Sequence, residues 1–249
     1  MTRPRFILGI LATAAVLWLP SSPVHAGTFS ISPVRVELSA GAQTGALTIR
    51  NQDAAPVVIQ AQAMLWEQQD GLDRLMPTRD ILVSPAVFTV PANGSQLVRV
   101  ALRVPADPQR ELSYRVILTE VPQQASPEFT GLNVALRLSL PVFVAPAASA
   151  KPQLKWSATR NADGAITLTA HNVGEAHDRI LTFSVAPSAG SAPAVSQDVT
   201  AYLLPGQART WTLDNKQNET ASSTDWNRLR VKGTTEAGDF VVETSLEAR

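Results

Sequence analysis

The chain of 249 residues has no cysteine, only three histidines and two tyrosines, and no excess of either charge, with 21 basic and 21 acidic residues. Each shortage closes off a class of function. Without cysteine there can be no disulfide framework, no thiolate nucleophile and no thiolate-bound zinc. Balanced charge argues against a broad electropositive face for nucleic acid. A G-x-S-x-G elbow, a phosphate-binding P-loop and an S-x-x-K pair are all missing, and the glycines of "AGAQTGA" and "GEAHDRI" lack phosphate-loop spacing. His171 and His177, in "AHNVGEAH", have no acidic or histidine partner at ligand spacing and read as solvated loop residues. No catalytic residue, metal site or cofactor is therefore expected, and the chain does not read as an enzyme.

A long apolar run occurs only at the start. Arg3 and Arg5 precede "FILGILATAAVLWL", Pro20 follows it, and "VHA" ends at Ala26. That is the pattern of a secretory leader over residues 1–26, and the run is too short and wrongly flanked for a membrane span. The remaining 223 residues, with 19 basic against 21 acidic side chains and so a formal charge of −2, suffice for one large sandwich or two domains of roughly a hundred residues each.

What is present is strand after strand. "VRVEL" (34–38), "GALTIRN" (45–51), "VVIQAQAMLWEQ" (57–68), "ILVS" (81–84), "AVFTV" (86–90), "SQLVRVALRV" (95–104) and "SYRVILTEV" (113–121) are short, β-branched and bounded by Pro, Gly, Asn or Asp. A further segment, "GLNVALRLSLPVFVAP" (131–146), alternates and then turns solidly apolar. Its Leu132, Val134, Leu136, Leu138 and Leu140 share one face, because successive strand side chains point to opposite sides. "APAASAKP" (145–152) reads as a linker, after which "QLKWSATR", "AITLTAHN", "RILTFSV", "QDVTAYLLP", "ARTWTL", "NRLRVKGT" and "FVVETSL" make a second β domain. The expected architecture is all-β, with domains at 27–147 and 148–249. The sequons at 93–95 and 218–220 fall in turn-like stretches and are read as turns.

Arginines inside the strands are the remaining peculiarity. Arg35, Arg115 and Arg137 each sit among residues that should bury one face. Such a side chain either snorkels or pairs with an acid such as Glu37 or Glu120, or joins others in a cleft where guanidinium groups grip a carboxylate.

Four segments, "SPVRVELSAGAQTGALTIRNQD" (32–53), "ILVSPAVFTVPANGSQLVRVAL" (81–102), "ELSYRVILTEVP" (111–122) and "LNVALRLSLPVFVAP" (132–146), resemble the PapD-like periplasmic pilus chaperones of the chaperone-usher pathway. The form "LRLSLPVFV" looks most like the archaic branch. The resemblance implies two immunoglobulin-like sandwiches set in an L or boomerang with a cleft between them, and a periplasmic chaperone that captures pilus subunits by donor-strand complementation and delivers them to an outer-membrane usher. By position, Leu132, Val134 and Leu136 match the family's donor residues, Leu138 and Leu140 continue the row, and the donor strand spans 131–144. The terminal carboxylate of a bound pilus subunit would be anchored by Arg35, which stands six residues before Gly41 as the family pattern requires. Pro141 stands where the family has its anchoring lysine, so Arg115 is the first candidate for the second cation and Arg137 the next. "PQQASPEFTGL" (122–132) reads as a connection that is mobile without a partner, and an uncovered apolar edge suggests a self-capping homodimer. The competing classes are a secreted adhesive or carbohydrate-binding sandwich, which would show an exposed platform of Trp66, Trp156, Trp211 or Trp226, and an exported hydrolase, for which no constellation exists.

Overall fold

The computed structural model describes residues 29–122, 134–189, 195–213 and 225–248. Its first nine strands are β1 (Phe29–Ser32), β2 (Val36–Ser39), β3 (Thr44–Asn51), β4 (Val57–Gln69), β5 (Leu72–Pro77), β6 (Ile81–Ser84), β7 (Val87–Val90), β8 (Ser95–Leu102) and β9 (Leu112–Val121). Then come β10 (Arg137–Ala145), β11 (Leu154–Arg160), β12 (Ile166–Asn172), β13 (Asp178–Pro187), β14 (Val195–Leu203), β15 (Ala208–Leu213), β16 (Arg228–Thr235) and β17 (Gly238–Ala248). Among the described residues the one helical element is a 3-10 turn at Asp225–Asn227, and no helix is long and apolar enough to cross a membrane. Most of the expected strands are found within a few residues of their places, while the one expected over 131–144 is a strand from Arg137 to Ala145, with 134–136 outside it and 131–133 outside the described residues. Two were not anticipated, β1 and the exposed hairpin return β5.

Two sandwiches result. In the first, the sheet β1-β3-β8-β6 packs on the sheet β2-β10-β9-β4-β5, with β7 beside β4. Alternation decides what is buried: Val98 and Val100 of β8 face Leu47 and Ile49 of the paired β3, all fully buried, while Leu97 and Arg99 point out. Val116, Leu118, Val142 and Val144 close this core from the opposite sheet. Each such side chain contributes about 1.5–3 kcal/mol of burial.

The second sandwich is one hydrogen-bonded path, β14-β13-β16-β17-β11-β12-β15. The path is continuous because β17 changes layers: Gly238–Ser245 pair antiparallel with β16, then Leu246–Ala248 pair parallel with β11. Ile166, Leu168, Ile180, Val185, Leu213, Leu229 and Val231 fill its core.

Long strands serve two masters. On β4, Ile59 and Ala61 enter the first core, whereas Trp66 and Gln68 are buried on the opposite face, against the second domain. On β10, Leu140, Val142 and Val144 face the core while Phe143 faces the second domain. A strand covered on both sides must be apolar at successive positions, which is why the alternation of 131–140 gives way to a solid apolar run.

The linker is tied to both domains. Ala148 N–H donates to the Pro108 carbonyl at 3.2 Å, and the Lys151 carbonyl accepts from Glu175 N–H at 3.2 Å. Gly174 sits so close that a Cβ there would lie 2.3 Å from the Lys151 carbonyl oxygen. Any other residue at 174 would push the linker away.

Candidate functional site

The first notable feature is a bare strand edge. β10 pairs antiparallel with β9 over Arg137–Val144, but its other side meets β2, in parallel, only from Val142 to Ala145. The first strand of the fold is split between two sheets, β1 pairing with β3 and β2 with β10. Along Arg137–Pro141 the outer edge of β10 therefore has no strand partner among the described residues. The ladder to β9 continues one residue further back, where Glu120 N–H donates to the Leu136 carbonyl at 2.9 Å and Leu136 N–H donates to Glu120 Oε2 at 3.1 Å.

The apolar row is graded along this edge. Val134 is 64 % exposed, Leu136 and Leu138 are half-buried, and Leu140 is 8 % exposed and belongs to the core. Leu136 and Leu138 lie over Phe29, Ile31, Ile59 and Leu118 at the open end of the sandwich, leaving a void of only about 10 Å³. Leu132 lies outside the described residues, as does the connection 123–133.

The second feature is a cleft built on the outer face of the six-stranded sheet. Trp66, Phe143 and Leu204 form a buried cluster with Tyr202 against it. The Trp66 and Tyr202 rings meet edge-on at 5.3 Å, and His177 stacks on Phe143 at 3.5 Å. Hydrogen bonds fix the docking. Gln68 Nε2 donates to the Tyr202 carbonyl at 2.9 Å and Gln68 Oε1 accepts from Leu204 N–H at 3.0 Å. Arg110 donates to the Pro205 carbonyl, and Glu111 receives both the His177 backbone N–H at 3.1 Å and its Nδ1 at 2.7 Å. His177 is thus an interdomain residue and not the solvated loop histidine expected from its surroundings in sequence; His171 is exposed. Among the described residues there is no group of three or more His, Asp or Glu that could hold a metal ion.

Arginines gather around Tyr202. Arg35, in the segment between β1 and β2, pairs with Glu37 at 2.9 Å and with Glu236, on the β16–β17 turn, at 2.6 Å. Burial works against its charge, but the hydrogen bond and charge of Glu236, helped by Glu37, raise its proton affinity above the ordinary arginine range. The Arg115 guanidinium lies 3.6 Å from the Trp66 ring centre and 5.5 Å from that of Tyr202. Burial lowers its proton affinity, and Arg179 adds to this while Asp73 and Tyr202 oppose it. It remains a cation, now seated on aromatic faces.

The expected anchor residues divide. Arg115 lies over the Trp66 and Tyr202 rings, and Arg35 is tied to Glu37 and Glu236. Arg115 also stands directly opposite Pro141 across the β9/β10 ladder. Side chains at such a pair are nearest neighbours on one face, so Arg115 fills the space of a residue reaching from position 141. Arg137 does not join them. It is exposed and lies four residues up β10, about 13 Å along a strand.

Sequence reasoning missed Tyr202, Arg179 and Glu236. A signal existed for Arg179, an in-strand arginine of the same kind as Arg35 and Arg115. The tryptophans form no exposed platform: Trp66 and Trp226 are 2 % and 3 % exposed, and Trp156 and Trp211 stack partly buried with Phe183 and Phe240.

Two sandwiches docked across an aromatic cluster, the first with a bare strand edge, define an all-β protein of two immunoglobulin-like domains. Residues 28–150 match the pili and flagellar-assembly chaperones, PapD N-terminal domain, so the first sandwich belongs to that family. No curated protein sequence matches the chain. Solved structures do. A chain of the CsuC–CsuE chaperone–tip adhesion pre-assembly complex, from the archaic chaperone-usher Csu pili of Acinetobacter baumannii, is 21 % identical with a TM-score of 0.65, over 88 % of this chain and 99 % of that one. A chain of the Salmonella enterica SafA pilin–SafB chaperone complex is 18 % identical, TM-score 0.60, over 90 % and 99 %. The Pseudomonas aeruginosa CupB2 chaperone is 18 % identical, TM-score 0.55, over 87 % and 100 %.

Proposed function

We propose that this protein is a periplasmic chaperone that captures pilus subunits by lending them the open half of β10, and that it hands them to an outer-membrane usher. The single observation that carries the reading is the bare edge of Arg137–Pro141 with the graded apolar row on it. A pilin strand laid along that edge gains main-chain hydrogen bonds, and alternate side chains of the row enter the pilin's groove. Val134, Leu136 and Leu138, with Leu132 preceding them, are the donors. Leu140 is already spent on the chaperone's own core, so the lent row stops at Leu138. A fully exposed donor side chain would add about 1.5–3 kcal/mol on being covered, and the half-buried Leu136 and Leu138 add correspondingly less.

The cleft completes the site. A strand paired along β10 and ending beside Pro141 would place its terminal carboxylate at Arg115, with Arg35 across the cleft, and a planar guanidinium suits a carboxylate. Covering an apolar groove protects the pilin from edge-to-edge aggregation, and the same hazard in the free chaperone favours a self-capping homodimer. The leader of residues 1–26 directs the chain to the periplasm, and the role is binding without chemistry.

Co-purification from the periplasm with pilin-type proteins encoded beside this chain tests the reading. The wild type brings down a pilin and Leu136→Asp does not, with both chaperones equally abundant, because a charge cannot enter the groove. Equal recovery by both, or by neither, would sink it.

A further inference from the structure

A third arginine shares the cleft. Arg179 of β13 pairs in register with Tyr202 of β14, and its guanidinium lies 5.1 Å from the Tyr202 ring centre. Its Nε is buried and has no hydrogen-bond partner. Its carbonyl accepts from Glu236 N–H at 2.9 Å, which roots it at the turn that reaches Arg35.

The charges around it do not balance. The ion pairs among the described residues are Arg35–Glu37, Arg35–Glu236, His177–Glu111 and Arg230–Glu243, so neither Arg115 nor Arg179 has a carboxylate in contact. Asp73, the acid that acts on Arg115, is engaged by Gln68 Nε2 at 2.9 Å. Two guanidinium groups are thus brought to one aromatic ring with no anion between them. A guanidinium partly withdrawn from water and without a carboxylate in contact is stabilised by an incoming anion. Arg35, by contrast, already holds two carboxylates and must release one to accept another.

We propose that Arg179 binds the terminal carboxylate of a captured chain together with Arg115, so that the carboxylate bridges the two domains. This rests on the chaperone reading above and adds to it a ligand from the second domain. The pair Arg115 and Arg179 takes the carboxylate without breaking an existing ion pair, and Arg35 exchanges Glu236 for it afterwards.

The test compares a synthetic peptide of alternating apolar residues ending in a free carboxylate with the same peptide ending in an amide, by titration calorimetry on the wild type, Arg179→Gln and Arg179→Lys. The wild type prefers the free carboxylate at least tenfold. Arg179→Gln loses most of that preference while its affinity for the amide is unchanged, and Arg179→Lys keeps part of it. A purely structural role would weaken both peptides alike and lower the melting temperature, leaving the ratio untouched. A wild-type ratio in Arg179→Gln overturns the assignment while leaving the chaperone reading intact. A wild type that binds neither form, or both equally, overturns the carboxylate cleft itself and Arg179 with it.

Discussion

The two domains are built with the same devices and closed differently. Each has a strand that ends on a fully buried asparagine, β3 at Asn51 and β12 at Asn172. Asn51 Nδ2 donates to the Ala55 carbonyl at 2.7 Å and its Oδ1 accepts from Asp53 N–H at 2.9 Å. Asn172 repeats this, donating to the Ala176 carbonyl at 2.8 Å and accepting from Gly174 N–H at 3.0 Å. Each domain also joins its first and last strands in parallel over a short stretch, Val36–Ser39 with Val142–Ala145 in one and Ala158–Arg160 with Leu246–Ala248 in the other. Beyond those stretches both sandwiches have an open seam. In the second domain aromatic rings stack across it, Trp156 of β11 on Phe240 of β17 at 5.2 Å, beside a recess of about 200 Å³ that Leu154 and Val242 also line. In the first it is covered by Leu136 and Leu138, unbranched at Cβ and carried on a segment with one neighbour. The two seams thus differ in what covers them: rings anchored in paired strands in the second domain, and in the first a leucine row on a strand with one neighbour.

The largest effect that would sharpen this contrast lies within one strand. Leu140→Asp places a charge in the first core and should destabilise that domain by about 4 kcal/mol or more, against about 1 kcal/mol for Leu136→Asp, as read by urea denaturation. Equal losses would mean that the row is uniformly structural. Next come the asparagines. Asn51→Ala and Asn172→Ala each strand buried main-chain groups and should cost about 2–4 kcal/mol, each confined to its own domain's transition in calorimetry. Were either change to shift both transitions, the domains would be one cooperative unit. The smallest effect is at the cleft: Glu236→Gln breaks an ion pair whose side chains are 31 % and 37 % exposed, so it should cost about 0.5 kcal/mol in low salt and almost nothing in high salt.

Much of the fold was legible because alternation and turn residues mark most strands directly. "SQLVRV" shows one buried face and one wet face, and β8 has both. The two strands that escaped notice carry that signal too briefly or not at all. β1 is four residues, and β5, "LDRLMP", is exposed at every position, so no core imposes a pattern on it. The donor row was visible as leucines at every second place, but not where the row ends, because Leu138 and Leu140 look alike in sequence and differ only by what packs on them. The cleft was half legible. Arg35 and Arg115 stood out as charges inside strands, whereas Tyr202 and Glu236 acquire meaning only when the second domain docks on Trp66 and Phe143. Arg137 satisfied the same sequence criterion as Arg115 and is carried away by register alone.

Amide hydrogen exchange on the free chaperone and on its purified complex with a pilin addresses the central claim most directly. The account predicts that pilin binding protects amides within 134–140 by an order of magnitude or more, while those of 154–157, at the seam of the second domain, exchange at an unchanged rate. Protection at 154–157 with none at 134–140 would contradict it, and would move the docking edge to the other sandwich.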